Sequence, residues 1–415
     1  MSEILQKARR AKLVSRRVAL LNSAVKNRAL KTMARCLREN TAAILKANAL
    51  DIKKAKKDRL APALMDRLSL TAGRIKDMAV SLQDLAGLAD PNNQILAKIK
   101  RPNGLDIEKI SVPMGVIAVI YEARPNVTAD AAGLCFKAGS AVILRGGSDA
   151  ARSNKAIAAV LRESLRAERL PADIIQLVET AGRQTAAELM TLRQYIDLLV
   201  PRGGAGLIRR TVEESLVPVI ETGTGNCHVY VDKYADLKKA LAITINAKTQ
   251  RPSVCNAAES LLVHKDAASR FLPAALPALR NAGVAIHGCA ATRKYASYVL
   301  KASAEDYARE YLALEISIKV VKSIDEAIEH IHRYGTRHTE AIVTENRRNA
   351  RRFLSEVDAS AVLVNASTRF TDGGEFGFGC EIGISTQKLH ARGPLGLKEL
   401  MSYKYLVRGN GQIRQ

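Results

Sequence analysis

Through residues 1–90, apolar residues recur at helical spacing. Leu13, Val14, Val18, Leu20 and Leu21 sit among lysines and arginines at intervals that gather on one face, which predicts amphipathic helices. At 95–112 the pattern changes: Asn103-Gly104 between alternating apolar residues predicts a β-hairpin. Beyond it, continuous apolar runs alternate with amphipathic stretches. GVIAVIYE (115–122) and AVILRG (141–146) read as buried strands, and 151–169, with Ile157, Val160, Leu161 and Leu165 on one face, reads as a helix. IIQLVET (174–180), YIDLLVP (195–201) and VPVIET (217–222) read as further strands. A second series comprises ESLLVH (259–264), VAIHG (284–288), SIKVV (317–321), EAIVT (340–344) and SAVLVN (360–365), with helices between. Apolar strands alternating with helices imply parallel sheets covered on both faces, and two such series predict two α/β domains. After about 389 the text returns to short strands, able to pair with the 95–112 hairpin or with another subunit.

Several turns between these elements carry chemistry-bearing residues. VPRGGAGLIRR (200–210) and LRGGSDAARSN (144–154) are glycine turns between a strand and a helix, where backbone N–H groups receive phosphate. Ligands of open α/β sheets sit at the carboxyl ends of strands, so two such turns favour a dinucleotide. YEARPNVT (121–128) sets the amide of Asn126 after a buried strand, and ETGTGNCHVYVD (221–232) sets Glu221 after another. Residues 365–386 form a long loop rich in Gly and Thr, a composition typical of binding loops. KTQRPSVCNA (248–257) places Cys255 between a polar run and an apolar one. On the residues alone it is a buried small hydrophobe, a metal ligand or a nucleophile.

Composition narrows these choices. The chain has 415 residues, 47% of them apolar, so two or three globular domains are expected. Its six cysteines lie far apart with no CxxC pair, which argues against a metal site or a disulfide framework and for a reducing compartment, the cytoplasm. No apolar run is long enough to span a membrane, and the basic N-terminus lacks the apolar core of a signal peptide. The net charge is +23, and residues 1–60 hold 17 Lys and Arg against 4 Asp and Glu. Those charges read as the wet faces of amphipathic helices. With no Trp and no nucleic-acid motif, they suit an anionic small molecule better than a specific nucleic acid.

Four segments, VPMGVIAVIYEARPNVTADAAG, LVPRGGAGLIR, NAKTQRPSVCNAAESLLVH and VNASTRFTDGGEFGFG, together resemble the glutamate-5-semialdehyde dehydrogenases (gamma-glutamyl phosphate reductases), a branch of the aldehyde dehydrogenase superfamily. The resemblance implies an α/β fold of that superfamily, with a Rossmann-like cofactor domain, an α/β catalytic domain and a small β oligomerisation element. It places the cofactor domain at 1–225, with the 95–112 hairpin in the oligomerisation element. The catalytic domain carrying Cys255 falls at 226–365. The active-site loop, a return to the cofactor domain and the oligomerisation strands fall at 366–415. The implied reaction is NADPH-dependent reduction of L-glutamyl 5-phosphate to L-glutamate 5-semialdehyde with release of phosphate, via a cysteine thioester, in proline biosynthesis.

The same resemblance assigns roles. Cys255 is the implied nucleophile and Asn126 the oxyanion-hole amide. Gly146, Gly203 and Gly204 belong to the cofactor turns, and Glu310 stands where the superfamily grips the nicotinamide ribose. Arg145 stands near the adenosine ribose, where a guanidinium suits a 2′-phosphate. Arg251 is placed to hold the thiolate or the leaving phosphate. Glu221 occupies the place of the general base in hydrolytic members, a role an acyl-phosphate reductase does not need. A substrate with an α-ammonium and an α-carboxylate asks the 365–386 loop for an anion and for donors. Asp372 or Glu381 is expected to take the ammonium, with Glu375 the other acid, and Ser367, Thr368 and Arg369 are the donors. A homo-oligomer is expected, and a glutamate 5-kinase is the partner that would deliver the labile acyl phosphate.

Overall fold

Two apolar series did imply two sheets, and the chain divides accordingly into two units. In the computed structural model, which describes residues 1–180 and 182–414, one unit comprises Met1–Glu221, Gly377–Gly383 and the chain from Leu395 onward. The other comprises Thr222–Phe376 and Ile384–Pro394. The sequence expectation set the division after residue 225 and treated 366–415 as one segment with three roles.

The first unit opens with five helices: α1 (Glu3–Ala19), α2 (Ser23–Glu39), α3 (Thr41–Lys57), α4 (Pro62–Leu68) and α5 (Ala72–Gly87). Ser2 and Asn22 cap α1 and α2 by accepting the N–H of Leu5 and Val25. The basic residues here are not all wet, as the charge pattern led one to expect. Lys26 is fully buried, its Nζ 2.6 Å from Asp90 and donating to the Lys137 carbonyl. Next come β1 (Ile95–Lys100) and β2 (Asp106–Pro113), the expected hairpin, followed by an alternating series. That series is β3 (Val116–Tyr121), α6 (Asn126–Lys137), β4 (Ala141–Gly146), α7 (Ala151–Ala167), β5 (Ile175–Leu177), α8 (Arg183–Thr191), β6 (Leu198–Arg202) and α9 (Ala205–Glu214). Strands β5-β4-β3-β6 form a parallel sheet in that order, with Ile117 opposite both Val142 and Leu198. Every residue of β3 is buried, as a strand covered on both faces must be.

VPVIET is not a strand of this sheet. Pro218 has no N–H to donate, and the segment touches β6 through one bridge, Val219 to Leu199, made by the Pro218 carbonyl and the Ile220 N–H.

The second unit holds β7 (Cys227–Val231), α10 (Leu237–Thr249), β8 (Ala258–His264), α11 (Lys265–Asn281), β9 (Ala285–Gly288), α12 (Ala290–Arg293) and β10 (Leu300–Lys301). It continues with α13 (Ala304–Ala308), β11 (Glu315–Val321), α14 (Ile324–Tyr334), β12 (Thr339–Val343), α15 (Arg347–Glu356), β13 (Ala361–Val364) and the short pair β14 (Ile384–Ser385) and β15 (Gly393–Pro394). Its parallel sheet runs β10-β9-β11-β8-β7-β12-β13. The sequence reading passed over β7, which lies fully buried beside β8 near the middle of the sheet. The last strand, β16 (Met401–Arg408), belongs to the first unit and pairs antiparallel with β2, giving the sheet β1-β2-β16. This is one of the two pairings expected for the C-terminal stretch. Among the described residues no helix is long and apolar enough to cross a membrane.

Candidate active site

The second unit builds its site where α10 gives way to β8. α10 stops at Thr249, and the following loop, with Pro252 in it, leads to Ala258. Cys255 lies in this loop, partly exposed. Its carbonyl oxygen accepts the thiol of Cys227 at 3.1 Å. Gly225 backs onto the same carbonyl so closely that a Cβ there would overlap the oxygen, so close approach is what requires a glycine at this position. The Gly225 N–H goes to Glu310 Oε1 at 2.7 Å. The Asn256 amide donates to the carbonyls of Thr371 at 2.9 Å and Arg369 at 3.4 Å, tying the Cys255 loop to the 365–376 segment. Arg369 Nε donates to Gln250 Oε1 at 2.8 Å. Burial pushes the Arg369 guanidinium down, and the Asp372 carboxylate opposes that shift.

The structure therefore gathers Cys255, Glu310, Arg369 and Asp372 in one unit. Arg251 is exposed in the same loop as Cys255. Ser367 is buried and its Oγ accepts the Arg369 N–H at 3.3 Å, while Thr368 is fully buried with no hydrogen-bond partner for its hydroxyl. Asp372 Oδ1 accepts the N–H of Gly374 at 2.8 Å, so one of its oxygens shapes the turn that follows. Glu375 is exposed, and Glu381 belongs to the first unit.

In the first unit, Asn126 does not end a strand but opens α6, five residues after the end of β3 by way of Ala123, whose φ is 41°. Its amide donates to Asp130 Oδ2 at 3.0 Å. Burial pushes the Asp130 carboxyl up to about 6, with the Asn126 bond acting the other way. Asp130 escaped the sequence reading, although residues four apart on a helix share a face. Cys227 also escaped it, and nothing in the text marks its contact with the Cys255 carbonyl.

Arg145, near the end of β4, donates to the Gly182 carbonyl at 2.7 Å and to Thr185 Oγ1 at 3.3 Å; burial pushes its guanidinium down, against the pull of Glu122. A Cβ on Gly146 would overlap the Asn154 amide, and one on Gly203 the Glu122 carboxylate. Glu122 also accepts the Gly204 N–H at 2.9 Å. Gly204 caps the N-terminus of α9, and neither it nor the residues capping α7 and α8 give a side chain to the first-turn N–H groups. Glu221 is the last residue of this unit before the chain crosses to the other.

Known proteins resemble the whole of this architecture. The sequence model of the aldehyde dehydrogenase family matches residues 1–293. A gamma-glutamyl phosphate reductase of Caldanaerobacter subterraneus subsp. tengcongensis is 56% identical over 413 residues, covering 100% of both chains. The crystal structure of gamma-glutamyl phosphate reductase from Thermotoga maritima matches with a TM-score of 0.95 and 48% identity over 100% of both chains. An acetylating aldehyde dehydrogenase from Geobacillus thermoglucosidasius shares the fold, with a TM-score of 0.72 at 17% identity over 100% of this chain and 98% of that one.

Proposed function

This chain belongs to the aldehyde dehydrogenase family and, within it, to the gamma-glutamyl phosphate reductases; from that premise we propose that it reduces L-glutamyl 5-phosphate to L-glutamate 5-semialdehyde with NADPH, releasing phosphate. The observation that carries this reading is Cys255 itself, partly exposed in a loop whose backbone is held from two sides, in a chain similar to those reductases over its full length.

The chemistry follows from the thiol. The Cys255 thiolate attacks the acyl carbon, the carbon–oxygen bond to phosphate breaks, and a thioester remains on the enzyme. NADPH supplies the hydride that reduces this thioester. The carbon–sulfur bond then breaks, the thiolate leaves and the aldehyde is released. Each attack places negative charge on oxygen, for which Asn126 and the Cys255 N–H are the proposed donors. Asp130 holds the Asn126 amide. Arg369 and Asp372 are the proposed contacts for the glutamyl end, with Glu381 the rival for the ammonium, and Arg251 for the leaving phosphate.

The first unit suits a dinucleotide. Its helices α8 and α9 follow parallel strands and begin without side-chain caps, so their first-turn N–H groups fit an anion such as pyrophosphate, whereas at α7 the N–H groups of Arg152 and Ser153 already go to the buried Asp51 carboxylate. Arg145 is the proposed partner of the 2′-phosphate and Glu310 that of the nicotinamide ribose. On this reading the enzyme is cytoplasmic, assembles as a homo-oligomer through β1-β2-β16, and takes its labile substrate from a glutamate 5-kinase.

The test runs the reaction toward aldehyde oxidation in phosphate-free buffer, following NADPH absorbance. A stoichiometric burst that stalls, then resumes on adding phosphate or arsenate, is expected, because the thioester waits for phosphate. Sustained turnover without phosphate, with glutamate as product, would refute the assignment.

A further inference from the structure

The loop that carries Cys255 is closed at its base by a pair of opposite charges. Lys248 lies in the last turn of α10, seven residues before Cys255, and Glu259 is the second residue of β8, four after it. Lys248 Nζ donates to Glu259 Oε2 at 2.5 Å, and neither side chain reaches solvent. Taking two charges out of water costs about as much as their attraction returns, and an apolar pair of similar volume often serves stability as well or better. Stability alone is therefore a poor reason for this pair.

The second oxygen of Glu259 points to another role. Oε1 accepts the N–H of Leu312 at 3.2 Å. Leu312 has φ 54°, a left-handed conformation that leucine adopts only at a cost and only where its surroundings hold it. Two residues earlier, Glu310 accepts the Gly225 N–H, and Gly225 lies against the Cys255 carbonyl. Two routes thus run from Glu259 to the same peptide, one through Lys248 and α10, the other through Leu312, Glu310 and Gly225. Burial pushes Glu259 up to about 8 and Lys248 down, each opposed by the other, so the contact persists as an ion pair or as a neutral hydrogen bond.

We propose that Lys248 and Glu259 are positioning residues for the reaction: together they fix the backbone of Cys255, and Glu259, through Leu312, also fixes the carboxylate of Glu310. Both are fully buried, so they act only through these neighbours. The inference rests on reading Cys255 as the nucleophile.

Two double variants separate the routes. Lys248→Met/Glu259→Gln leaves no unpaired buried charge and keeps an acceptor for Leu312. Lys248→Met/Glu259→Leu removes that acceptor as well. The readouts are kcat, KM for NADPH, melting temperature, and the rate of Cys255 carbamidomethylation by peptide mass spectrometry. The first variant should lose kcat by about ten- to a hundred-fold and slow Cys255 labelling alike, at unchanged KM, as a displaced reacting group does. The second should also raise KM for NADPH. If kcat and labelling per folded molecule stay within about twofold of wild type in both, whatever the melting temperature, the pair is a packing feature only and the inference falls. Should neither variant fold, Lys248→Arg is read on the same scale, since it keeps the charge and displaces the foot of the loop. If Cys255→Ala retains turnover, it is the nucleophile assignment that fails, a result independent of both variants.

Discussion

At the scale of single residues, Cys255 has a rival thiol. Burial alone would raise the Cys289 thiol, but contacts to its sulfur from the Thr292 hydroxyl and the Val320 N–H bring it below the usual value. Iodoacetamide should therefore label both, and only labelling of Cys255 should track loss of activity. Cys255→Ala should abolish turnover with little change in melting temperature, since a partly exposed loop position loses little packing. Retention of more than a tenth of the wild-type rate would contradict the nucleophile role.

Asp130 gives a prediction with a definite sign. Its carboxyl is raised to about 6 in the folded chain from an ordinary value of 3.8, so between these the folded state keeps a proton that the unfolded state has lost. The stability this group contributes is present at low pH and lost as pH rises through about 6. Asp130→Asn should match wild type near pH 4, gain melting temperature relative to it as the pH rises from there to about 6, and hold a constant advantage above that, measured by thermal denaturation across the window. A constant difference across the window would show that Asp130 does not titrate there. Asp130 was legible in principle, four residues from Asn126 on one helix. Lys26 was not, because a lysine among basic helices gives no sign that it is buried against a partly exposed Asp90.

Among elements, strands buried on both faces were the most legible, because a parallel sheet leaves continuous apolar runs in the text. β7 was missed because CHVYV interrupts that run with a histidine and a tyrosine that the interior accommodates: His228 reaches Glu340 and Tyr230 reaches Asp232. VPVIET misled in the opposite sense, apolar enough for a strand but with a proline where a donor was needed. At the turns after β4 and β6, Gly146 and Gly203 are required by packing against Asn154 and Glu122, which the text does not distinguish from a need for ligand approach. Arg145 likewise has partners within the protein, Gly182 and Thr185. Arg145→Ala should lower kcat/KM for NADPH by about ten- to a hundred-fold more than for NADH if it meets the 2′-phosphate, since a charge-assisted contact is worth about 1.5–3 kcal/mol. Equal losses with both cofactors would mean that its bonds to Gly182 and Thr185 are its whole task. In the sheet β1-β2-β16, Ile99, Ile107 and Val407 stand opposite one another across the three strands, and Ile99 and Val407 are exposed. On the proposal that this sheet joins the subunits, the row is its expected contact. Val407→Asp should shift the enzyme to a smaller species in sedimentation, and an unchanged mass would place the contact elsewhere.

The whole molecule carries a charge of +23 and a substrate of the opposite sign on the reading above. Screening shortens the reach of such a field from about 30 Å at 0.01 M salt to about 10 Å at 0.1 M. The rate constant kcat/KM for the acyl phosphate should fall severalfold over that range while kcat holds. A flat profile would assign the charge to something other than substrate capture. Composition made the charge plain but not its disposition: some lysines are wet, and others, such as Lys26 and Lys137, are sealed in the core.

The pairing of β2 with β16 sets the timing of synthesis. Arg408 Nη1 meets Glu108 Oε2 across a separation of 300 positions, so one edge of β2 stays open until about 300 further residues have been made. At about 5–20 residues per second, a ribosome leaves that edge unpaired for roughly 15–60 s. An open strand edge is a template for any other chain nearby, and nascent copies on one message are the nearest. Pairing with β16 closes that edge of β2 and moves the open edge to β16, and a message truncated before residue 401 would leave β2 itself exposed.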